Sequence, residues 1–314
     1  MQIPTVNIEN FPGDPNFVAA LGKGYEEYGF CGVIGHDISN EVINDAYAAI
    51  QEFFALPRAV KEKYHTGVGG ARGYTSFGIE TAKDSKYPDL KEFWHVGREL
   101  PDNMPHHQSL FPNIWPMEVE NFQPRLYRLY DAMDKLGIRI LDALAEYLQQ
   151  SKGYFRDNVN MGNSVLRPLH YPPIEEHETP SLRAAAHEDI NLITLLVGSE
   201  EPGLEILSRS GDWIPVSMLA GTIVVSIGDM MQRLTNHVLP STTHRVVNVP
   251  EAYTGESRYS IPFFFHPNPD FEIATLESCI SADNPNRYPQ SITADEYLTE
   301  RLIEIGLMEE EANL

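Results

Sequence analysis

The segment from residue 165 to residue 265 constrains the fold most, because it is a succession of short β-rich stretches separated by turns. The clearest stretches are Asn191–Val197, Leu204–Leu207, Trp213–Val216, Thr222–Ile227, Arg245–Val249 and Tyr259–Phe265. Glycines fall between or beside them, at positions 203, 211, 221, 228 and 255. Many short strands with turn residues at this spacing favour a sandwich or barrel over a parallel sheet with crossover helices.

A long amphipathic segment precedes this β-rich region. From Phe122 to Tyr147, apolar residues recur at alternating steps of three and four, which predicts one helix with a single apolar stripe. Because the chain then turns strongly β, we expect this helix to be a scaffold on a sheet and not a coiled coil. Near the C-terminus, Thr293 and Glu296 form a capping box that opens a final helix through Leu302, expected on the outside of the molecule.

The first hundred residues have a mixed α and β pattern. A short strand at Thr5–Ile8 leads into apolar residues at helical spacing from Phe17 to Tyr28, followed by a buried strand at Gly29–Ile34. A second helical region is expected from Asn40 to Tyr64.

These patterns divide the chain into four parts that form one compact unit. The parts are an α/β region at 1–116, the scaffold helix at 117–150, the β core at 151–275 and a C-terminal helical segment at 276–314. The expected fold class is mainly β with α additions.

Composition excludes several classes of protein. A net charge of −22 without a basic stripe argues against nucleic-acid binding. No apolar run of membrane-spanning length occurs, and the first residues lack the features of a signal peptide. The two cysteines, Cys31 and Cys279, are far apart and lack metal-site spacing, which indicates a reducing compartment. We therefore expect a cytoplasmic protein, and a monomer by default.

The segment His187-Glu188-Asp189 carries the first chemical signal. In an extended strand His187 and Asp189 point to the same side and Glu188 to the other. His244, at the entry to another β-rich stretch, offers a third ligand. Two histidines and one carboxylate on one face of an octahedron suit iron(II) and leave three positions open. An H-x-D triplet alone is weak, since such pairs are common on protein surfaces.

A second signal lies on the next strand. Strand alternation puts Arg258 and Ser260 on one face, where a guanidinium and a hydroxyl are suited to a carboxylate. A surface arginine is the alternative, but the apolar run from Ile261 to Phe265 indicates that the strand enters a core. A buried arginine needs an anionic partner, which a ligand carboxylate would supply.

With these motifs, the chain resembles the isopenicillin N synthase-like iron(II)/2-oxoglutarate dioxygenases over nearly its whole length. The matching segments are Ile3–Val6, Tyr28–Phe30, Phe53–Pro57, Arg72–Tyr74, Asp89–Glu92, His187–Asp189, Gly228–Met230, Ser241–Val246 and Arg258–Ser260. The resemblance implies a double-stranded β-helix, or jelly-roll, core flanked by helices, with residues 1–116 similar to the family's N-terminal region.

The resemblance also implies the roles of individual residues. His187, Asp189 and His244 would bind Fe(II). Arg258, Ser260 and Tyr171 would hold the distal carboxylate of 2-oxoglutarate, the co-substrate together with O2. The implied reaction is oxidation of a small molecule, most simply a hydroxylation, with release of succinate and CO2.

Five further residues are candidates for the substrate pocket: Tyr74, Phe93, His95, Arg233 and His237. Each has an alternative or uncertain role. Tyr74 is a pocket candidate on the family resemblance and a core tyrosine otherwise, and Phe93 suits a packed aromatic cluster better than the pocket. Arg233 suits either an acidic substrate or a surface salt bridge. His237 would intrude on the pocket or cap a turn.

Three other functions remain open at the level of sequence. The same iron site could serve an oxidase that does not use 2-oxoglutarate, of the isopenicillin N synthase type, which succinate release would distinguish. An ethylene-forming type of reaction could fragment 2-oxoglutarate itself. A non-catalytic jelly-roll binding module would have no affinity for iron.

Overall fold

The computed structural model describes residues 3–66, 72–82, 85–106, 110–174, 180–198, 202–216, 221–248 and 255–304. Within these ranges the chain forms seven α-helices. They are α1 (Pro15–Tyr28), α2 (Asn40–Phe54), α3 (Arg58–Lys61), α4 (Phe122–Tyr147), α5 (Arg156–Val159), α6 (Asp229–Leu234) and α7 (Ala294–Glu304). No helix among the described residues is long and apolar enough to cross a membrane.

Fourteen strands alternate with these helices along the described chain. They are β1 (Thr5–Asn7), β2 (Phe30–Ile34), β3 (Gly73–Thr75), β4 (Glu92–Gly97), β5 (Val165–Leu166), β6 (Leu169–Tyr171), β7 (Ala184–His187), β8 (Ile193–Val197), β9 (Leu204–Leu207), β10 (Trp213–Pro215), β11 (Ile223–Ile227), β12 (His244–Val246), β13 (Arg258–Ser260) and β14 (Pro262–Phe265). Short 3₁₀ turns occur at Glu62–Tyr64 and Glu277–Cys279. The prediction of a mainly β chain with added helices is confirmed.

The strands form two sheets. The large sheet has ten strands in the order β1-β2-β11-β8-β14-β5-β4-β6-β13, with β3 paired to β4, and the small sheet has the order β10-β9-β12-β7. Side chains from both sheets meet in one apolar cluster that includes Phe30, Ala184, Leu204, Val224 and Val246. The small sheet therefore packs against one face of the large sheet.

Helix α4 packs on the large sheet. Its apolar stripe, which includes Leu129, Met133 and Ile140, is fully buried in the main core. Gly137 on this helix lets the Phe265 ring approach closely, because a Cβ there would lie 2.4 Å from the ring. The predicted scaffold helix is thus present with the predicted bounds.

The sequence patterns located most elements, with some changes at their ends. The helical region expected from Asn40 to Tyr64 is interrupted at Pro57. It divides into α2, α3 and a 3₁₀ turn. The stretch expected from Tyr259 to Phe265 is two strands interrupted at Ile261. The capping box at Thr293 is present, since Glu296 donates its backbone N–H to the Thr293 hydroxyl at 3.3 Å and accepts the Thr293 N–H at 2.9 Å.

Candidate active site

Two histidines face each other across the small sheet. His187 ends β7 and His244 begins β12, and the two residues are direct partners in the antiparallel pairing of these strands. Their ring centroids are 4.4 Å apart. Residues 57 positions apart in sequence are therefore brought together by strand register alone.

The hydrogen bonds of each imidazole decide which nitrogen faces the shared space. Nδ1 of His187 donates to the carbonyl of Ala185 at 2.7 Å, and Nδ1 of His244 donates to the carbonyl of Thr242 at 3.1 Å. Each Nδ1 therefore carries the proton, and each Nε2 keeps a free lone pair. Burial and the neighbouring His244 lower the pKa of His187 to about 4, although Asp189 opposes the shift. This imidazole is neutral at physiological pH.

Asp189 supplies the carboxylate of the group. Its Oδ1 lies 3.8 Å from Nε2 of His244, while its Oδ2 accepts a hydrogen bond from Ser226 at 3.2 Å. Burial would raise the pKa of this carboxyl, but His244 and His187 outweigh it and lower the pKa. Asp189 is therefore an anion with one oxygen fixed and the other directed at the histidines.

These three side chains fit a metal ion. One ligand atom from each of His187, Asp189 and His244 can be chosen so that all lie within 4.8 Å of one another. Two neutral imidazole nitrogens and one carboxylate oxygen are the donor set of facial iron(II) sites. The backbone and hydroxyl partners orient these ligands as expected for the outer shell of a metal site.

The predicted carboxylate-binding residues meet on the large sheet. Arg258 on β13 is the direct strand partner of Tyr171 on β6, and the guanidinium lies 5.1 Å from the tyrosine ring. Ser260, two residues along β13, is on the same face as Arg258. All three are buried. The structure brings together Arg258 and Ser260, which strand alternation placed on one face, and Tyr171, which the family resemblance implied.

A cavity of about 450 Å³ lies beside the histidines and Asp189. Its walls come from the loop before β4, from β4, β5 and β14, from the segment around His187, and from α6 and α7. The lining residues are Glu80, Thr81, Ala82, Asp89, Lys91, His95, Val165, Arg167, Ala186, His187, Glu188, Asp189, Ile190, Asp229, Thr243, Phe264, His266, Leu298, Arg301, Leu302 and Glu304. Helix α7, which has only Ala294 and Tyr297 buried, therefore lies at the surface as expected and also lines one side of the cavity.

An ion-pair chain runs along the wall of the cavity. Lys91 lies between Glu80, at 2.6 Å, and Asp89, at 2.8 Å. Glu80 also accepts from Arg167 at 3.3 Å, and Arg167 Nε donates to His95 Nε2. Burial would raise the pKa of Glu80, but the charges of Lys91 and Arg167 hold it well below its usual range. Glu80 therefore remains ionised and pairs with both Lys91 and Arg167.

Two acidic side chains meet on another wall. Burial and then a hydrogen bond with Glu188 raise the pKa of Asp229 to about 7. Glu188 also accepts from the hydroxyl of Thr243 at 2.9 Å. Glu188 lies between His187 and Asp189 in sequence, but its carboxylate is hydrogen-bonded to Asp229 and Thr243.

The five pocket candidates have different positions. His95 lines the cavity. Phe93 does not line it, but its ring lies 4.7 Å below the Arg167 guanidinium. Tyr74 is buried elsewhere and donates its hydroxyl to Glu92.

Arg233 and His237 are not among the residues that line this cavity. Arg233 lies on α6, stacks 4.4 Å from the Tyr288 ring and donates to the carbonyl of Gln290 at 3.2 Å. His237 lies in the left-handed turn after this helix and hydrogen-bonds the Tyr288 hydroxyl at 2.6 Å.

Several cavity residues were missed by the sequence reasoning. Arg167 follows the two-residue strand β5 and precedes Pro168, and it belongs to none of the sequence motifs described above. Strand alternation places Arg167 on the same face of the sheet as Val165, and this shared face is the sequence signal that could have indicated its position. Lys91 lay inside a segment already matched to the family, without a role, and His266 follows the apolar run of β14.

Comparison with protein families supports this assignment over most of the chain. Residues 3–118 match the model of the non-haem dioxygenase in morphine synthesis N-terminal region. Residues 162–267 match the model of the 2OG-Fe(II) oxygenase superfamily. This segment contains all three candidate metal ligands.

Relatives and solved structures agree with the family models. The 2-oxoglutarate-Fe(II) type oxidoreductase hxnY of Emericella nidulans is 33% identical over 88% of this chain and 82% of its own. A 2OG-Fe(II) oxygenase family protein from Caulobacter crescentus is 48% identical, covers 96% of this chain and 99% of its own, and superimposes with a TM-score of 0.90. A full-length Neurospora crassa protein, solved in complex with alpha-KG and thymine, is 28% identical over 96% of both chains, with a TM-score of 0.84. The double-stranded β-helix core expected from the sequence is thereby confirmed.

Proposed function

We propose that this protein hydroxylates a small organic molecule at an iron centre held by His187, Asp189 and His244. The chain belongs to the 2OG-Fe(II) oxygenase superfamily and is an Fe(II)- and 2-oxoglutarate-dependent dioxygenase. The observation that carries this proposal is the geometry of these three side chains. Their ligand atoms lie within 4.8 Å of one another beside a cavity of about 450 Å³.

We assign the distal carboxylate of 2-oxoglutarate to Arg258, Ser260 and Tyr171. A buried guanidinium with a hydroxyl on the same strand face can form charge-assisted hydrogen bonds to a carboxylate. The stacking of Arg258 on Tyr171 limits the directions in which the guanidinium can point.

Bound iron with 2-oxoglutarate supplies the chemistry that activates O2, converts the co-substrate to succinate and CO2, and oxidises the substrate. The chain itself contributes orientation. The carbonyls of Ala185 and Thr242 fix the tautomers of the two histidines, and Ser226 fixes the rotation of Asp189. Helix α7 limits the access of water to the cavity.

The cavity volume and two relatives support a small substrate. The solved Neurospora crassa structure holds thymine, and a proline hydroxylase, buaE of Petromyces alliaceus, is 32% identical over 92% of this chain and 93% of its own. Hydroxylation is the outcome that these relatives favour.

An anaerobic titration tests the proposal. Fe(II) and 2-oxoglutarate are added to the apoprotein while the weak visible charge-transfer band of the chelate is followed. The band should be absent in His187→Ala and should require at least about tenfold more 2-oxoglutarate in Arg258→Ala, because charged hydrogen bonds are lost. Iron binding without any band in the wild type would contradict the assigned 2-oxoglutarate site, and no iron binding would overturn the centre itself.

We also propose that the protein is a cytoplasmic monomer that binds neither nucleic acid nor membranes. Both cysteines are free and buried, which suits a reducing compartment. The net charge of −22 opposes contact with phosphate backbones. Light scattering of the purified protein tests the oligomeric state, and a dimer mass would contradict it.

A further inference from the structure

Arg167 presents one edge of its guanidinium to the cavity. Its Nε donates to His95 and its NH1 group donates to Glu80, at 3.3 Å from the nearer oxygen. The rings of Phe93 and Phe264 lie against the guanidinium, with centroids 4.7 and 5.0 Å from its central carbon. Among the residues that the structure describes, none accepts a hydrogen bond from the NH2 group. The side chain is 23% exposed and lines the cavity, so this edge is free to bind a ligand.

The position of this edge is fixed before any ligand arrives. A guanidinium clamped by two aromatic rings and two hydrogen bonds has little rotamer freedom left to lose on binding. Such pre-organisation is typical of a recognition residue, whereas a surface arginine moves freely. The edge can only donate hydrogen bonds, so the group that meets it must be an acceptor.

His266 lines the same cavity as Arg167, His187 and Asp189. Burial lowers the pKa of His266 to about 4. Its ring forms no hydrogen bond with any described residue. A neutral imidazole in the cavity wall can donate to or accept from a polar atom of the same ligand.

The charges around the cavity disfavour an anionic ligand. The lining carboxylates are Glu80, Asp89, Glu188, Asp189, Asp229 and Glu304, and the lining cations are Lys91, Arg167 and Arg301. The two positive charges of iron(II) and the two negative charges of 2-oxoglutarate cancel. Even with Asp229 protonated, the carboxylates outnumber the cations, and a further anion would be repelled.

The rest of the wall is apolar. Val165, Ile190, Phe264, Leu298 and Leu302 line the cavity. They would bury the hydrocarbon part of a ligand and gain from its removal from water.

We propose that Arg167 recognises the primary substrate and binds the carbonyl oxygen of an uncharged, largely apolar molecule. This inference depends on the proposed function, because it concerns the substrate of the same centre. The carbonyl accepts from the free edge of Arg167, and the apolar walls hold the remainder of the molecule beside the metal-binding group.

Binding of two matched bicyclic probes tests the inference without turnover. The protein is loaded with Zn(II), which has no redox chemistry, and with 2-oxoglutarate. 2-Quinolone, which has a neutral carbonyl, and 2-naphthoate, which has a carboxylate, are then titrated by ligand-observed NMR. We expect the wild type to bind 2-quinolone more tightly than 2-naphthoate.

Two variants locate the contact. Arg167→Gln should weaken 2-quinolone binding at least about tenfold, since a hydrogen bond to a charged donor is lost. Arg167→Lys keeps the charge beside Glu80 and should weaken binding in the same direction, which provides the comparison if the glutamine variant does not fold. Arg233→Gln removes an arginine that is also stacked on an aromatic ring but lies outside the cavity, and it should bind as the wild type does.

The outcomes separate this inference from the proposed function. If the wild type binds Fe(II) and 2-oxoglutarate but not 2-quinolone, or if Arg167→Gln binds 2-quinolone unchanged, the inference fails and the function stands. Tighter binding of 2-naphthoate through Arg167 would overturn the uncharged class of ligand. Failure of the wild type to bind Fe(II) or 2-oxoglutarate would instead overturn the proposed function.

Discussion

At the residue scale, the orientation of the three candidate metal ligands depends on neighbouring groups. Ser226 holds one oxygen of Asp189 by a hydrogen bond of 3.2 Å, and the other oxygen faces His244. Partners of this kind set the rotation of a ligating carboxylate, and their loss typically weakens metal binding.

Ser226→Ala should therefore lower the affinity for divalent metal by roughly 10- to 100-fold. The measurement is competition for Zn(II) between the protein and a chromogenic chelator. Ser278→Ala is the control, because that hydroxyl donates to the carbonyl of Leu148 at 2.7 Å, away from the site. Equal affinities for both variants would mean that Ser226 does not orient Asp189.

The neutral state of His266 predicts how the metal-free protein responds to acid. Burial lowers its pKa from 6.5 to about 4, so between these values the unfolded chain binds a proton that the folded chain does not. Stability therefore rises with pH across this window and is lost as the pH falls from about 6.5 to 4. The full shift corresponds to roughly 3 kcal/mol, and the part of the ring that faces the cavity reduces this value.

Urea unfolding of the apoprotein at pH 7 and at pH 5 measures the effect. His266→Phe should lose less stability between the two values than the wild type, because one titrating group is removed. His187, whose pKa is also lowered to about 4, remains in the variant and keeps part of the dependence. An unchanged difference would show that His266 is already solvated in the folded protein.

At the scale of elements, the sequence predicted some structures better than others. Helix α4 has the predicted bounds, Phe122 to Tyr147, because seven turns of apolar periodicity leave little ambiguity. Strand ends were less accurate, since strands of three to five residues carry too few alternations to define them. The division of the stretch before Phe265 at Ile261 has no local sequence signal of this kind.

The same contrast, between local sequence patterns and contacts distant in sequence, explains which site residues could be predicted. The His187 and Asp189 pair is a local sequence signal, although β7 ends at His187 and Asp189 lies beyond the strand, not within it as expected. Arg233 lies on α6 and contacts Tyr288 and Gln290, which are distant in sequence, so no local pattern reveals its position. Arg167 becomes meaningful only through Glu80 and the aromatic rings around it, which are distant in sequence.

A substitution on α4 tests how closely this helix packs on the large sheet. Alanine is favoured over glycine inside a helix by about 1 kcal/mol. At Gly137, however, the new Cβ would lie 2.4 Å from the Phe265 ring, well inside contact distance.

Gly137→Ala should therefore destabilise the protein by about 1–3 kcal/mol, the usual cost of overpacking. Chemical denaturation measures the change, with wild type as the reference. A stabilised variant would mean that Phe265 moves aside at little cost.

At the scale of the whole molecule, the N-terminal region is part of the core and not a separate unit. Strands β1 and β2 form one end of the large sheet, where β2 pairs with β11, so removal of the first residues would expose the edge of β11. The buried Glu92 carboxylate also joins the N-terminal region to the core. Lys61 donates to both oxygens of Glu92 at 2.7 and 2.8 Å, and Glu92 in turn accepts from His170, on β6 of the core.

This arrangement predicts one cooperative unfolding transition for the whole chain, even when the junction is damaged. Lys61→Met leaves Glu92 buried without its cation and should cost about 3–5 kcal/mol. Lys135→Met is the matched control, because its partner Asp131 and Lys135 itself are more than half exposed and such pairs contribute at most about 1 kcal/mol. Calorimetry should give a single transition in both variants, shifted to much lower temperature only in the first. Two separated transitions in Lys61→Met would show instead that the N-terminal region folds independently of the sheet that β2 joins.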